Sequence, residues 1–285
     1  MPNEVMRRGR RVRLSVVMPA YNEAQHIVSN LLETIDTLAG TCPDFEIVIV
    51  DDGSADNTYL HPVELLAELG DNIRIVRYHK NAGKGNALMC GFDHCAGDIV
   101  AFLDADMDLH PAQISSLLEI LETRPVDVVI GSKWHRRSKI NYPWIRKAWS
   151  FGYYLFVRLL FGLPLRDTQT GLKVFRAQVL RDVFPRILAK RYAFDVEVLV
   201  NAHHLGYKIA DAPVTLQFTR TSGRVKIADV WTAFLDTLAI FYRLRVVRYY
   251  DRKPLAHAPG RFEDVEVHVG LKPTAGIEIR ETTST

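Results

Sequence analysis

Cysteine is scarce in this sequence: Cys42, Cys90 and Cys95 are the only three among 285 residues, and no Cys-x-x-Cys pair occurs. An odd count without that spacing excludes a disulfide framework and a zinc knuckle, and it fits a reducing compartment. Long apolar runs are also lacking. The most apolar long stretch, residues 148–165, contains Arg158 and is interrupted by Gly162 and Pro164, which argues against a transmembrane helix but not against membrane contact. The run after the N-terminal arginines, residues 14–18, is too short for the core of a signal peptide, so a cytoplasmic location is expected. Neither sign of charge is in large excess. Thirty-six Lys and Arg against 33 Asp and Glu leave a net charge of +3, too small to make nucleic acid the default partner.

The chain is 48% hydrophobic and 24% charged, which suits a globular fold with a sizeable core and excludes a coiled coil, a collagen or a disordered tail. Its charge is unevenly spread. No acidic residue stands between positions 128 and 166, where Lys133, Arg136, Arg137, Lys139, Arg146, Lys147, Arg158 and Arg166 supply eight cations. Such a segment is either a solvated basic face or the seat of an anion.

Short apolar runs rich in β-branched residues recur at 14–18, 45–50, 73–78, 99–103 and 126–130, with room for a helix between successive runs. They predict an α/β domain built on a mostly parallel sheet. In the second half the pattern predicts helices at 144–161, 194–205 and 227–245 and strands at 172–175 and 209–218. Beyond Lys253 the chain turns polar, although Val265, Val267 and Val269 alternate as an edge strand would. Residues 12–250 are therefore expected to form one domain and 251–285 an accessory tail.

Ligands of such sheets bind beyond the carboxyl ends of the strands. The residues at those positions are polar: Pro19-Ala20-Tyr21-Asn22-Glu23, Asp51-Asp52-Gly53-Ser54, Asn81-Ala82-Gly83-Lys84-Gly85 and Asp104-Ala105-Asp106-Met107-Asp108. Extended backbone would put Asp104, Asp106 and Asp108 on one side, where a hard divalent cation, Mg²⁺ or Mn²⁺, would relieve their repulsion. Such an ion commonly takes one or two carboxylates plus substrate phosphates, which suggests a metal bridging protein and diphosphate. Asp51 or Asp52 could accept hydrogen bonds from a ribose or a base, while Ser54 and Asp56 fit turn and capping roles. The glycine turn lacks the third glycine of a dinucleotide fingerprint, since Leu88 stands there.

Taken in order, these motifs together with Asp167-Thr168-Gln169-Thr170-Gly171-Leu172-Lys173 resemble the family 2 glycosyltransferases. Within that family the chain resembles the enzymes that transfer a hexose to a polyprenyl (dolichyl) phosphate. The resemblance spans about residues 12 to 250 and implies a GT-A fold, a Rossmann-like nucleotide-sugar-binding domain with a C-terminal amphipathic helix. It implies an inverting, metal-dependent transfer from GDP-mannose or UDP-glucose. Pro19, Tyr21, Glu23, Asp51, Asp52, Lys84, Asp104, Ala105, Lys133, Arg220 and Lys226 would bind the nucleotide sugar. Asp104, Asp106 and Asp108 would hold the metal, Arg146 and Ser150 the acceptor phosphate, and Asp106, Asp108, Arg146 and Gln169 would take part in catalysis. Asp108 departs from the mannosyl branch, where Gln is frequent, and Lys133 stands where Arg is usual. Phe194-Asp195-Val196-Glu197 is similar to the glucosyl branch.

The acceptor's tail must remain in a bilayer. Ile227, Val230, Trp231, Phe234, Leu238 and Phe241 or Tyr242 recur at helical spacing ahead of Arg243, Arg245 and Arg248, a pattern that serves either an interfacial helix or an internal packing face. Peripheral contact with the cytoplasmic face of a membrane is expected, with a separate membrane subunit as a further candidate partner. The alternatives are a transferase acting on a hydroxyl acceptor and a non-catalytic nucleotide-sugar-binding subunit.

Overall fold

The computed structural model describes residues 13–140, 144–191, 193–216, 227–252, 262 and 265–270; for 140, 144–149 and 227–230 it describes the backbone alone. In chain order the first half runs β1 (Leu14–Ala20), α1 (Ile27–Thr41), β2 (Phe45–Asp52), α2 (Leu60–Glu64), α3 (Leu66–Leu69), β3 (Ile73–Tyr78), α4 (Lys84–Asp93), β4 (Ile99–Phe102), α5 (Gln113–Thr123) and β5 (Val128–Ser132). The second half adds β6 (Lys139–Ile140), α6 (Trp144–Phe161), β7 (Lys173–Arg176), α7 (Ala177–Val183), α8 (Phe194–His204), β8 (Ile209–Pro213), β9 (Thr215–Leu216), α9 (Ile227–Arg245) and β10 (Glu266–Val269).

Eight strands form one sheet in the order β10-β3-β2-β1-β4-β7-β5-β8. Strands β3, β2, β1 and β4 are mutually parallel, and every residue of β2 is buried, as expected for strands covered by helices on both faces. The helices contribute periodic apolar faces: Ile27, Leu31 and Leu38 of α1 and Ile114, Leu117 and Leu121 of α5 are all buried.

The sheet is mostly parallel, as the sequence suggested, with two reversed strands. β7 runs antiparallel between β4 and β5, pairing Lys173 with both Phe102 and Ile130. An apolar run reports burial but not strand direction, which depends on how the α6 excursion returns. The reversal has a functional consequence: the loop preceding β7 is delivered to the edge where β4 and β5 end. At the opposite rim β10 pairs antiparallel with β3, so this part of the 251–285 stretch closes the sheet. The strand expected at 209–218 is divided, with β9 leaving the main sheet to pair with β6.

Helix α9 divides the expected apolar stripe between two faces. Thr237 and Ile240 are fully buried, Phe234 stacks on Phe156 of α6 at 4.3 Å, and Phe241 meets Phe161 edge-on at 6.1 Å. Trp231, Leu235, Leu238 and Tyr242 point outward, beside Phe151, Leu155 and Leu159 of α6 among the exposed large apolar residues. Arg243, expected as a surface anchor, instead turns inward to Glu197 of α8 at 2.9 Å. Arg245 and Arg248 remain exposed.

Candidate active site

Two adjoining hollows open at the carboxyl ends of the strands. The larger, about 560 Å³, is lined by Pro19, Ala20, Tyr21, Glu23, Asp52, Asn81, Gly83, Lys84, Asp104, Ala105, Asp106, Gln169, Arg191 and Asp195. The smaller, about 260 Å³, is lined by Asp104, Asp106, Asp108, Leu109, Lys133, Ser150, Gln169, Thr170, Gly171 and Leu216. Asp104, Asp106 and Gln169 border both.

The loops are held by one another. Asn22, at φ 56°, accepts a hydrogen bond from Ala55 N–H at 3.0 Å and donates its own N–H to Ser54 Oγ at 2.9 Å, while Glu23 N–H reaches Thr58 Oγ1 at 2.7 Å. Ser54 therefore ties two loops together and caps no helix. Asp52 accepts from Tyr78 Oη at 2.6 Å, from Ala82 N–H at 2.7 Å, from Gly83 N–H at 3.0 Å and from Asn81 Nδ2 at 3.1 Å. Those donors occupy most of what a carboxylate can accept, so Asp52 shapes the glycine turn that walls the larger hollow. Asp51 does not line either hollow: its carboxylate is buried, is raised by that burial, and accepts from Ser54 while facing Arg77 at 3.3 Å.

At the tip of β4, Lys84 Nζ lies 2.5 Å from Asp104 Oδ1. Burial alone would raise Asp104, but Lys84, with Lys173 and Lys133 behind it, outweighs burial and holds the carboxyl below the usual range. Burial would likewise lower Lys84, but Asp104 and Asp195 raise it above the ordinary lysine value. Asp106 is lifted to about 6, first by burial and then by Asp104 and Asp108. Gly171 makes room for Asp104: a Cβ there would lie 2.0 Å from Asp104 Oδ2.

The three aspartates do not alternate along an extended strand, although all three line the smaller hollow. Met107 adopts the left-handed conformation, φ 61°, so the chain turns within the motif, and Asp108 lines only the smaller hollow while its N–H returns to Asp106 Oδ1 at 3.1 Å. Among the described residues no three His, Cys, Asp or Glu side chains gather closely enough to hold a metal ion.

The loop before β7 is organised by Asp167, which accepts from Lys133 N–H and Gln169 N–H at 3.0 Å each and from Thr170 Oγ1 at 2.7 Å. Gln169 Nε2 is buried with no hydrogen-bond partner among the described residues, leaving a donor for a ligand. Beneath it Lys173 is almost fully enclosed and holds Asp195 Oδ1 at 2.7 Å and the Thr170 carbonyl. Burial and the nearby Lys84 lower Lys173 despite Asp195. The sequence marked Lys173 as the end of the Asp167–Lys173 motif without a role, and it offered no signal for Arg191. Ser150 lies on α6 and lines the smaller hollow, and Arg146 lies on the first turn of the same helix, its side chain outside the description. Arg220 and Lys226 lie outside the described residues.

The chain is similar to several known proteins. The chain is 30% identical over 256 residues to a dolichyl-phosphate β-glucosyltransferase of Trichomonas vaginalis, covering 85% of this chain and 77% of that enzyme. It is 33% identical over 221 residues to the dolichyl-phosphate β-glucosyltransferase of Saccharomyces cerevisiae, covering 71% of this chain and 66% of the yeast enzyme. In fold it is similar to glucosyl-3-phosphoglycerate synthase of Mycobacterium tuberculosis, crystallised with Mn²⁺, UDP-glucose and phosphoglyceric acid, with a TM-score of 0.62, 22% identity and coverage of 82% and 80% of the two chains. The family described as Glycosyl transferase family 2 matches residues 15–184, more than half of the chain, and this protein belongs to the family 2 glycosyltransferases.

Proposed function

We propose that the protein transfers glucose from UDP-glucose to a polyprenyl phosphate of the dolichyl type, inverting the anomeric carbon. The observation that carries this reading is the pair of hollows sharing Asp104, Asp106 and Gln169, a layout suited to a donor on one side and an acceptor on the other. The relatives named as dolichyl-phosphate β-glucosyltransferases supply the sugar and the acceptor class. The nucleoside and diphosphate fit the larger hollow, between Pro19, Tyr21 and the Asp52-braced turn at one end and Asp104 at the other. The acceptor phosphate fits the smaller, near Lys133 and Ser150, with Arg146 on the same helix.

Asp104 and Asp106 are oxygen donors in a half-buried site, and Asp106 is raised to about 6 first by burial and then by Asp104 and Asp108, a repulsion that a cation would relieve. This donor set fits Mg²⁺ or Mn²⁺ completed by diphosphate oxygens. Such an ion would neutralise charge developing on the departing diphosphate. The chain's own residues supply position. A phosphate monoester with a second pKa of roughly 6 is mostly dianionic at neutral pH, so the acceptor needs no general base. Lys133, with Arg146, draws that dianion toward the anomeric carbon. Gln169 Nε2 offers its unused hydrogen bond to a sugar hydroxyl. One phosphate oxygen forms the new bond to C1 as the bond to UDP breaks, and the electron pair leaves on UDP. Holding the partners aligned is worth about 7 to 11 kcal/mol of the barrier.

The outward apolar faces of α6 and α9 fit the surface of a membrane, with Arg245 and Arg248 near anionic headgroups and the active cleft on the cytoplasmic side. No helix among the described residues is long and apolar enough to cross a bilayer. The test is a matrix of UDP-glucose and GDP-mannose, each with and without dolichyl phosphate in vesicles, read by product mass. Lipid-linked glucose formed only from UDP-glucose with the lipid is the expected result. Glucosylated product without any lipid phosphate would favour a hydroxyl acceptor, GDP-mannose use would reassign the donor, and binding without turnover would leave a sugar-nucleotide-binding subunit. Full turnover by the purified chain would make a separate membrane subunit unnecessary.

A further inference from the structure

The larger hollow contains one cation that the motifs did not single out. Lys84 in the same hollow is paired with Asp104, while nearby Lys133 faces Asp167 and Lys173 is enclosed against Asp195. Arg191 lines the larger hollow beside Gly83, and among the described residues it forms no ion pair. Its stem crosses the glycine turn so closely that a Cβ on Gly83 would fall 2.9 Å from Arg191 Cγ.

The backbone that carries this exposed arginine is held by a built scaffold. Glu197, fully buried on α8, accepts from Leu188 N–H at 3.0 Å and Ala189 N–H at 2.6 Å, just upstream of Arg191. The same carboxylate is fixed from behind by Arg243 Nη2 at 2.9 Å and by the Tyr250 hydroxyl. The next carbonyl, that of Lys190, accepts the Gly85 N–H at 3.0 Å, and Arg191's own carbonyl accepts from Phe194 N–H at 3.0 Å. The segment bearing Arg191 is thus tied to α8, α9 and the start of α4.

We propose that Arg191 binds the diphosphate of the nucleotide donor and of the departing nucleotide. Its place fits that role: it lies against Gly83 and lines the same hollow as Asp52, whose turn would face a nucleoside, and Asp104, where the sugar-bearing end would lie. A planar guanidinium is suited to two phosphate oxygens at once. The acceptor phosphate belongs to the other hollow, which Arg191 does not line. The inference rests on the donor reading above, with a nucleoside diphosphate as the ligand class.

The experiment measures calorimetric binding of UDP, GDP and uridine, with Mn²⁺ present, to the full chain and to Arg191→Met and Arg191→Lys. Removing a charge-assisted hydrogen-bonding partner should weaken UDP binding by about tenfold or more. Uridine binding should not change, and Arg191→Lys should recover part of the loss. Unchanged UDP affinity in Arg191→Met, or an equal loss for uridine and UDP, would overturn the assignment. Wild-type protein that binds GDP and not UDP would sink the donor reading alone, because the Arg191 comparison can then be made with GDP. Wild-type protein that binds neither nucleotide would overturn both.

Discussion

Gly171→Ala tests whether the site depends on the contact that this glycine permits. The added Cβ would lie 2.0 Å from Asp104 Oδ2 and 2.5 Å from its Cγ. Ordinary contacts between such atoms are about 3.5 Å, so one partner must move by about 1 Å or more. Asp104 cannot retreat freely, because its other oxygen is held by Lys84 at 2.5 Å. Gly171 stands two residues before Lys173, which is pinned within the sheet between β4 and β5. Overpacking of this kind costs about 1 to 3 kcal/mol, and a chain of this size melts roughly 2 to 4 °C lower for each kcal/mol. The functional loss should be larger than the loss of stability, since a 1 Å misplacement of a reacting group can cost about 10²-fold in rate. Glucosyl transfer to dolichyl phosphate, Mn²⁺-dependent UDP binding and thermal melting would be measured together. Gly40→Ala in α1 serves as the control, because nothing lies within 4 Å of its added Cβ. Wild-type turnover and metal dependence in Gly171→Ala would refute the claim that this contact sets the Asp104 carboxylate.

Three further outcomes follow from the same structure. Asp106, raised to about 6 in the metal-free chain, must lose its proton to receive a cation, so Mn²⁺-dependent UDP affinity should fall by up to about tenfold per pH unit below 6. For the ligand-free protein the sign is opposite: a folded-state value above the ordinary 3.8 contributes stability that is full below 3.8 and lost as pH rises through about 6. Calorimetric titrations and metal-free melts from pH 4 to 8 check both directions. Lys173→Met leaves Asp195 enclosed without its partner and should cost about 3 to 5 kcal/mol in denaturant unfolding, with Asp195→Leu in the same chain recovering much of it. A single variant as stable as wild type would contradict the buried pair. Trp231→Glu with Leu235→Glu should reduce co-sedimentation with anionic vesicles while soluble UDP binding is kept; undiminished sedimentation would remove α9 from the membrane contact.

The sequence by itself determined the first five strands, the polar loops that follow them and the positions of α6, α8 and α9, because apolar periodicity and turn chemistry are local properties of the chain. It also marked Asp104, Asp106 and Gln169, since each lies within a short motif at a strand edge. Tertiary structure decided how these pieces meet. The antiparallel return of β7 brought Gly171 and Lys173 to Asp104, and the left-handed turn at Met107 broke the extended alternation of the three aspartates. Two adjacent aspartates are equivalent as letters, but the strand pleat sends Asp51 to Arg77 and Asp52 to the glycine turn. Helix α9 shows the same division, because one amphipathic pattern can serve two faces: Phe234 and Ile240 pack inward while Trp231 and Tyr242 face out. Arg191 stood out only in three dimensions, since it lies in no motif and is marked by the hollow it lines and by forming no ion pair among the described residues.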